Sequence, residues 1–99
     1  MSVAADGPEI VAAPRGDLDL AVADAFERQI RELGREGRLV VIDLRGVDFV
    51  DSSGLRSLLA LRNDAKRNHH ELVLVPGPPP VRRVFHLTAT RGLFDWREA

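Results

Sequence analysis

The feature that most constrains the fold is an apolar run that leads, after a short loop, into residues typical of a helix start. Residues 39–44 are almost wholly aliphatic, which is typical of a strand covered on both faces. The loop ends at residues 51–54, Asp-Ser-Ser-Gly, which favour the first turn of a helix. From Leu55 onward, apolar residues recur at helical spacing. This segment is therefore predicted to form a buried strand, a loop and an amphipathic helix.

The rest of the chain repeats this alternation. Strands are predicted at residues 9–13, 39–44 and 71–75, with a short edge strand at 93–96 and either a ragged strand or a disordered start at 2–6. Helices are predicted at residues 21–33, with Gly34 as the C-cap, at 53–67, and after the prolines of 76–80. Residues 16–20 are predicted to turn into the first helix, and residues 35–38 to form a polar loop. The alternation predicts crossovers and a mostly parallel sheet, and the length predicts one domain, 1–99.

Composition excludes several classes of function. Fourteen basic and fifteen acidic residues leave a net charge of −1, which provides no electrostatic basis for binding nucleic acid or an anionic membrane. The chain has no cysteine, so disulfides, thiolate catalysis and cysteine metal sites are excluded. No apolar run approaches the ~20 residues of a membrane span. We therefore expect a cytoplasmic protein without a cofactor.

The junction before the second helix has two interpretations. Ser52 and Ser53 stand where the free N–H groups of a helix end point outward, and that end carries roughly half a positive charge. A phosphate attached there would be tolerated by the fold, because a helix N-terminus is already an anion site. The simpler alternative is that the two serines only cap the helix.

Evidence for an enzyme or a metal site is weak. Residues 50–54 lack the first glycine of the Gly-x-Ser-x-Gly elbow that presents a nucleophilic serine. His69 and His70 are expected to be exposed at a helix end, and His86 to border an apolar face, in no metal-ligand spacing. No phosphate-binding Walker loop is present. The sequence therefore predicts a protein that is not an enzyme.

The residues from Asp43 to Leu55 closely resemble the signature of STAS domains, the sulfate-transporter and anti-sigma-factor-antagonist modules. Residues 16–19 resemble the Gly-Glu-Leu-Asp turn of that family, and residues 80–85 and 92–94 resemble its third helix and closing turn. The resemblance covers about residues 10–96. It implies a small α/β sandwich with about three helices, largely on one side of a mostly parallel or mixed sheet of four or five strands.

The resemblance also implies a function and a site. In bacterial anti-sigma factor antagonists, the serine after the motif's aspartate is phosphorylated by the anti-sigma factor, a kinase that supplies the ATP. The unmodified antagonist binds the anti-sigma factor and frees the sigma factor. By position, the phosphoacceptor is Ser52. The partner-binding residues implied around it are Asp19, Asp51, Ser53, Gly54, Leu55 and Arg56.

The resemblance leaves the specificity and the exact role of the protein open. Arg56 stands where the family often has a small residue, so the partner-facing surface is expected to have its own specificity. Similar domains serve as accessory subunits of lipid ABC transporters, and a scaffold in a stress-signalling complex is a third possibility. The expected oligomeric state is a monomer or a weak homodimer.

Overall fold

The computed structural model describes residues 1–35 and 39–98. Of the predicted polar loop at 35–38, residues 36–38 lie outside the described part. The described strands are β1 (Ser2–Asp6), β2 (Glu9–Ala13), β3 (Gly16–Leu18), β4 (Leu39–Asp43), β5 (Val47–Val50), β6 (Leu72–Val75) and β7 (Asp95–Trp96). The helices are α1 (Leu20–Gly34), α2 (Ser52–Arg67) and α3 (Pro79–Leu87), and a 3₁₀ turn at Arg91–Leu93 precedes β7.

Five strands form one mixed sheet in the order β1-β2-β4-β6-β7. The hairpin of β1 and β2 is antiparallel, and the other neighbours are parallel. Parallel neighbours require crossovers, which α1, α2 and α3 provide. The predicted α/β class and the four- or five-stranded mixed sheet are confirmed.

One hydrophobic core joins the sheet to the helices. Ile42 and Leu74 point from the central strands into a cluster with Ile30 of α1, Leu58 of α2 and Phe85 of α3, and all five are almost fully buried. Because one face of the sheet and all three helices contribute to this cluster, the helices lie largely on one side, as the family resemblance implied.

A second, two-stranded sheet was not predicted. Residues 16–18 were expected to be part of a turn and residues 47–50 to be a loop, but they form β3 and β5, which pair in parallel. Both strands are short, and β5 exposes two consecutive residues, Asp48 and Phe49, so it lacks the alternation that marks a half-buried strand. This small sheet lies beside the start of α2 and helps to form the site described below.

The expected exposure of His70 was also wrong, because only 5% of its side chain is accessible. His69 adopts a left-handed conformation with φ of 57°, and the N–H of His70 donates to the carbonyl of Ala65, which together end α2. The imidazole then lies where a side chain on Gly34 would be. Gly34 is thus the last residue of α1 and is needed for packing, whereas Arg35 is the C-cap.

Candidate functional site

A single carboxylate, that of Asp51, links the starts of two helices. Its Oδ1 atom accepts the N–H of Gly54 at 2.9 Å and thereby caps α2. Its Oδ2 atom accepts the N–H of Leu20, the first residue of α1, at 3.2 Å. Asp19 caps α1 itself, through the N–H of Ala21 at 3.1 Å. The N-termini of α1 and α2 therefore lie side by side, and their partial positive charges add at one place.

Ser52 is the first residue of α2, and it is exposed. The alternative in which the serines cap the helix is not what the structure shows, because Asp51 makes the capping hydrogen bond. Within residues 1–35 and 39–98, neither serine hydroxyl has a hydrogen-bond partner, and Ser53 is only half-buried. The hydroxyl of Ser52 thus lies at a helix N-terminus and makes no hydrogen bond to the described residues.

Gly54 and Leu55 lie beneath this surface. A Cβ atom on Gly54 would overlap the carbonyl oxygen of Leu18, so glycine is required there for β3 to cross the first turn of α2. Leu55 is 8% exposed and belongs to the hydrophobic core. Both residues, which were predicted to lie at a partner interface, are buried in this structure.

The other predicted partner-binding residues are at or near the surface. Asp19, Asp51 and Ser53 are half-buried, and Arg56 is exposed. Arg56 follows Ser52 by four residues, so the two lie on the same side of α2. The structure brings these residues together around the first turns of α1 and α2.

Two exposed apolar residues that sequence reasoning missed flank this group. Leu20 is 76% exposed, and its N–H is the one bound by Asp51. Phe49 is 50% exposed on β5, two residues before Asp51. We call Leu20, Phe49, Ser52 and Arg56 the Ser52 face. The sequence did contain a signal for both: each is an apolar residue within a segment that was predicted to be an exposed turn or loop.

The charge around the Ser52 face is mostly negative. Asp17 and Asp48 are exposed on β3 and β5, and Asp19 and Asp51 are half-buried at the helix caps. A phosphate would add about −1.5 to −2 charges to this group. The two helix dipoles offset part of the repulsion within the domain, at about 0.3–1 kcal/mol each.

In the described part of the chain, no group of three or more His, Asp or Glu side chains could hold a metal ion. None of the helices in residues 1–35 and 39–98 is long and apolar enough to cross a membrane.

Comparison with known proteins identifies the family to which this fold belongs. The family model for the STAS domain matches residues 3–97. BtrV of Bordetella bronchiseptica, which is assigned as an anti-sigma factor antagonist, is 30% identical over 86 residues, covering 86% of this chain and 74% of BtrV. The crystal structure of an anti-sigma factor antagonist from Mycobacterium paratuberculosis superposes with a TM-score of 0.87 at 27% identity, covering 99% of this chain and 84% of that one.

A more distant structure shares the fold. The Bacillus cell fate determinant SpoIIAA, in its phosphorylated form, superposes with a TM-score of 0.74 at 19% identity, covering 99% of this chain and 89% of that one.

The fold is that of a small α/β domain with a five-stranded mixed sheet and three described helices. The chain belongs to the STAS domain family, and its relatives include anti-sigma factor antagonists.

Proposed function

We propose that this chain is an anti-sigma factor antagonist whose binding is switched by phosphorylation of Ser52. Unmodified, it binds an anti-sigma factor in the cytoplasm and releases a sigma factor. The anti-sigma factor, acting as a kinase with ATP, phosphorylates Ser52 and ends the interaction. The observation that supports this proposal is the exposed hydroxyl of Ser52 on a helix start that Asp51 already caps.

The domain should tolerate the phosphate. Because Asp51, and not Ser52, satisfies the N–H of Gly54, modification of Ser52 removes no hydrogen bond of the cap. The new charge lies next to two helix N-termini, which favour an anion. Phosphorylation is therefore expected to change the surface while the fold persists, as in SpoIIAA, which exists in a phosphorylated form.

The same phosphate should oppose a bound partner. Leu20 and Phe49 offer apolar area that a partner would cover, and Ser52 lies beside them. A partner that covers this face would have to strip water from a dianion beside the carboxylates of Asp19 and Asp51. Arg56 is the one cation among the four residues of the Ser52 face, so most of the charge of the dianion would stay uncompensated. Burying such a charge costs several kcal/mol, which corresponds to a loss of more than about a hundredfold in affinity.

The test combines the chain with a candidate anti-sigma kinase and ATP and measures the intact mass. We expect one phosphate on the wild type and on Ser53→Ala, and none on Ser52→Ala. Ser53 is a matched control because it is the adjacent serine in the same turn but is half-buried. Equal phosphate on the wild type and Ser52→Ala would overturn the proposal.

Binding is measured separately by titrating the kinase, without ATP, with unmodified and phosphorylated protein. We expect the phosphorylated form to bind at least about a hundredfold more weakly. Equal affinities would contradict the switch. Specific binding to the ATPase of an ABC transporter, and none to an anti-sigma factor, would instead favour the transporter subunit that the sequence left as an alternative.

A further inference from the structure

The first strand of the large sheet has a free edge. In the described part of the chain, β1 pairs only with β2, through five consecutive residue pairs without a bulge. Residues 1–5 are exposed, and Val3 is 42% exposed. Residues 2–5, Ser-Val-Ala-Ala, contain neither the charges nor the proline by which proteins usually protect an edge strand.

The opposite edge of the same sheet is different. There β7 has only two residues, and the charged residues Arg97 and Glu98 follow it directly. A very short strand with charged neighbours is a poor template for another strand. Only the β1 edge therefore combines length, regular register and uncharged side chains.

The register identifies which backbone groups of β1 are free. The N–H of Leu39 donates to the carbonyl of Pro8 at 3.3 Å, so alternate residues from Pro8 onward, Ile10 and Ala12, turn their backbone groups toward β4. The intervening residues turn toward β1, where Val11 is opposite Ala4. Ala4 is therefore bonded to β2, whereas Val3 and Ala5 direct their N–H and C=O groups outward.

We propose that β1 pairs in antiparallel fashion with β1 of a second copy of this chain, about a two-fold axis near Ala4. Val3 of each copy then stands opposite Ala5 of the other, and each such pair exchanges both of its backbone hydrogen bonds. The two five-stranded sheets become one continuous sheet. This arrangement is isologous, so it closes at a dimer and does not propagate.

A second copy fits this edge because the strand is complementary to itself. Ala4 meets Ala4, and Val3 meets Ala5, so each position faces a small or β-branched residue that suits a pleated surface. A single pair of strands covers less than the roughly 1,200 Å² of a stable interface. We therefore expect a reversible dimer that forms as concentration rises.

The experiment is sedimentation equilibrium of the full chain over a range of concentrations. The wild type should shift from the monomer mass towards twice that mass. Ala5→Pro removes an outward N–H without removing a bond to β2, and it should sediment as a monomer at every concentration. Ala5→Thr keeps that N–H and should still dimerise.

As a control, circular dichroism and thermal unfolding are used to check that Ala5→Pro is folded. Val3→Lys provides a second route, because it keeps every backbone group and places a charge on the edge; we expect it to lose the dimer as well. A wild type that stays monomeric at about 1 mM, the weak end of measurable affinity, would overturn the proposal. So would a dimer that survives both Ala5→Pro and Val3→Lys.

Discussion

The two ends of the α1–α2 pair use polar side chains in opposite ways. At the N-terminal end, the carboxylates of Asp19 and Asp51 bind backbone N–H groups, and no side chain there holds the hydroxyl of Ser52 among the described residues. Leu20 and Phe49 stand exposed beside it. The two caps bind backbone N–H groups only, so the side chains of Leu20, Phe49 and Ser52 stay exposed at this end.

At the C-terminal end, polar side chains bind one another. Asp64 of α2 accepts from Arg31 of α1 at 2.7 Å and from Asn68 at 3.0 Å, and Arg31 also donates to Glu27 at 2.8 Å. The hydrogen bond to Glu27 is the chief reason that the pKa of Arg31 is raised. Side chains join the two helices at this end, where the described residues include no comparably exposed apolar group. Side-chain hydrogen bonds thus join the helices at one end, whereas at the other end they are joined through backbone N–H groups and neighbouring side chains stay exposed.

The largest effect should come from breaking the close approach under the Ser52 face. Gly54→Ala forces the new Cβ into the carbonyl of Leu18, and we expect a loss of about 3 kcal/mol or more in the free energy of unfolding. Urea denaturation measures it. Gly92→Ala is the control, because its Cβ would meet nothing within 4 Å. Equal stabilities for the two variants would show that β3 does not constrain the start of α2.

The next largest effect is expected at the C-terminal end of the α1–α2 pair, where we expect side chains to contribute to stability and not to binding. Asp64→Ala leaves Arg31 with Glu27 only, and we expect a loss of about 1–2 kcal/mol in stability, by urea denaturation, with unchanged affinity for the anti-sigma factor. Glu32→Ala is the matched control, since its ion pair with Arg35 is largely exposed. Weakened binding by Asp64→Ala, in a folded protein, would contradict the division between the two ends.

On the Ser52 face we expect a smaller effect, which changes binding and leaves stability nearly unaltered. Phe49→Ala removes exposed apolar area, so we expect about tenfold weaker binding to the anti-sigma factor, by calorimetry, and little change in stability. Leu87→Ala is the control, because Leu87 is 74% exposed on α3 and lies outside this face. Equal affinities of the two variants would remove Phe49 from the contact surface.

The smallest effect concerns a polar pair outside both ends. The side chain of Arg45 binds Asp43 at 2.8 Å and is the main reason that the pKa of Asp43 is lowered. Because the folded-state pKa lies below the unfolded value, the pair stabilises the protein above that value and loses this contribution as the pH falls. The wild type should therefore lose slightly more stability than Asp43→Asn between about pH 5 and pH 2, in thermal unfolding. Parallel profiles for the two proteins would show that the pair contributes nothing.

The parts of the fold that were predictable have long, periodic sequence patterns. β4 and β6 are continuous aliphatic runs, and α1 and α2 repeat apolar residues over several turns, so their types and approximate bounds followed from spacing. β3 and β5 were missed because strands of three and four residues are too short to show a period. The position of α2 was correct to within one residue.

The site was only partly predictable. Ser52 was singled out through family resemblance, because spacing alone could not decide which of Asp51, Ser52 and Ser53 caps the helix. The requirement for glycine at residue 54 depends on Leu18, which is distant in sequence and is brought near by β3. The exposure of Leu20 likewise depends on how α1 and α2 meet, a tertiary property that no local pattern encodes.

Asp51 accepts two backbone hydrogen bonds, and this has a consequence for any enzyme that would modify Ser52. Because the same carboxylate holds Leu20 and Gly54, the segment that carries the serine cannot be drawn out as an extended peptide without loosening both helices. The kinase that we propose for Ser52 would therefore have to recognise the intact domain and bring its nucleotide to a rigid helical surface. Substrate selection would then depend on shape across several elements rather than on the residues that flank the serine in the chain.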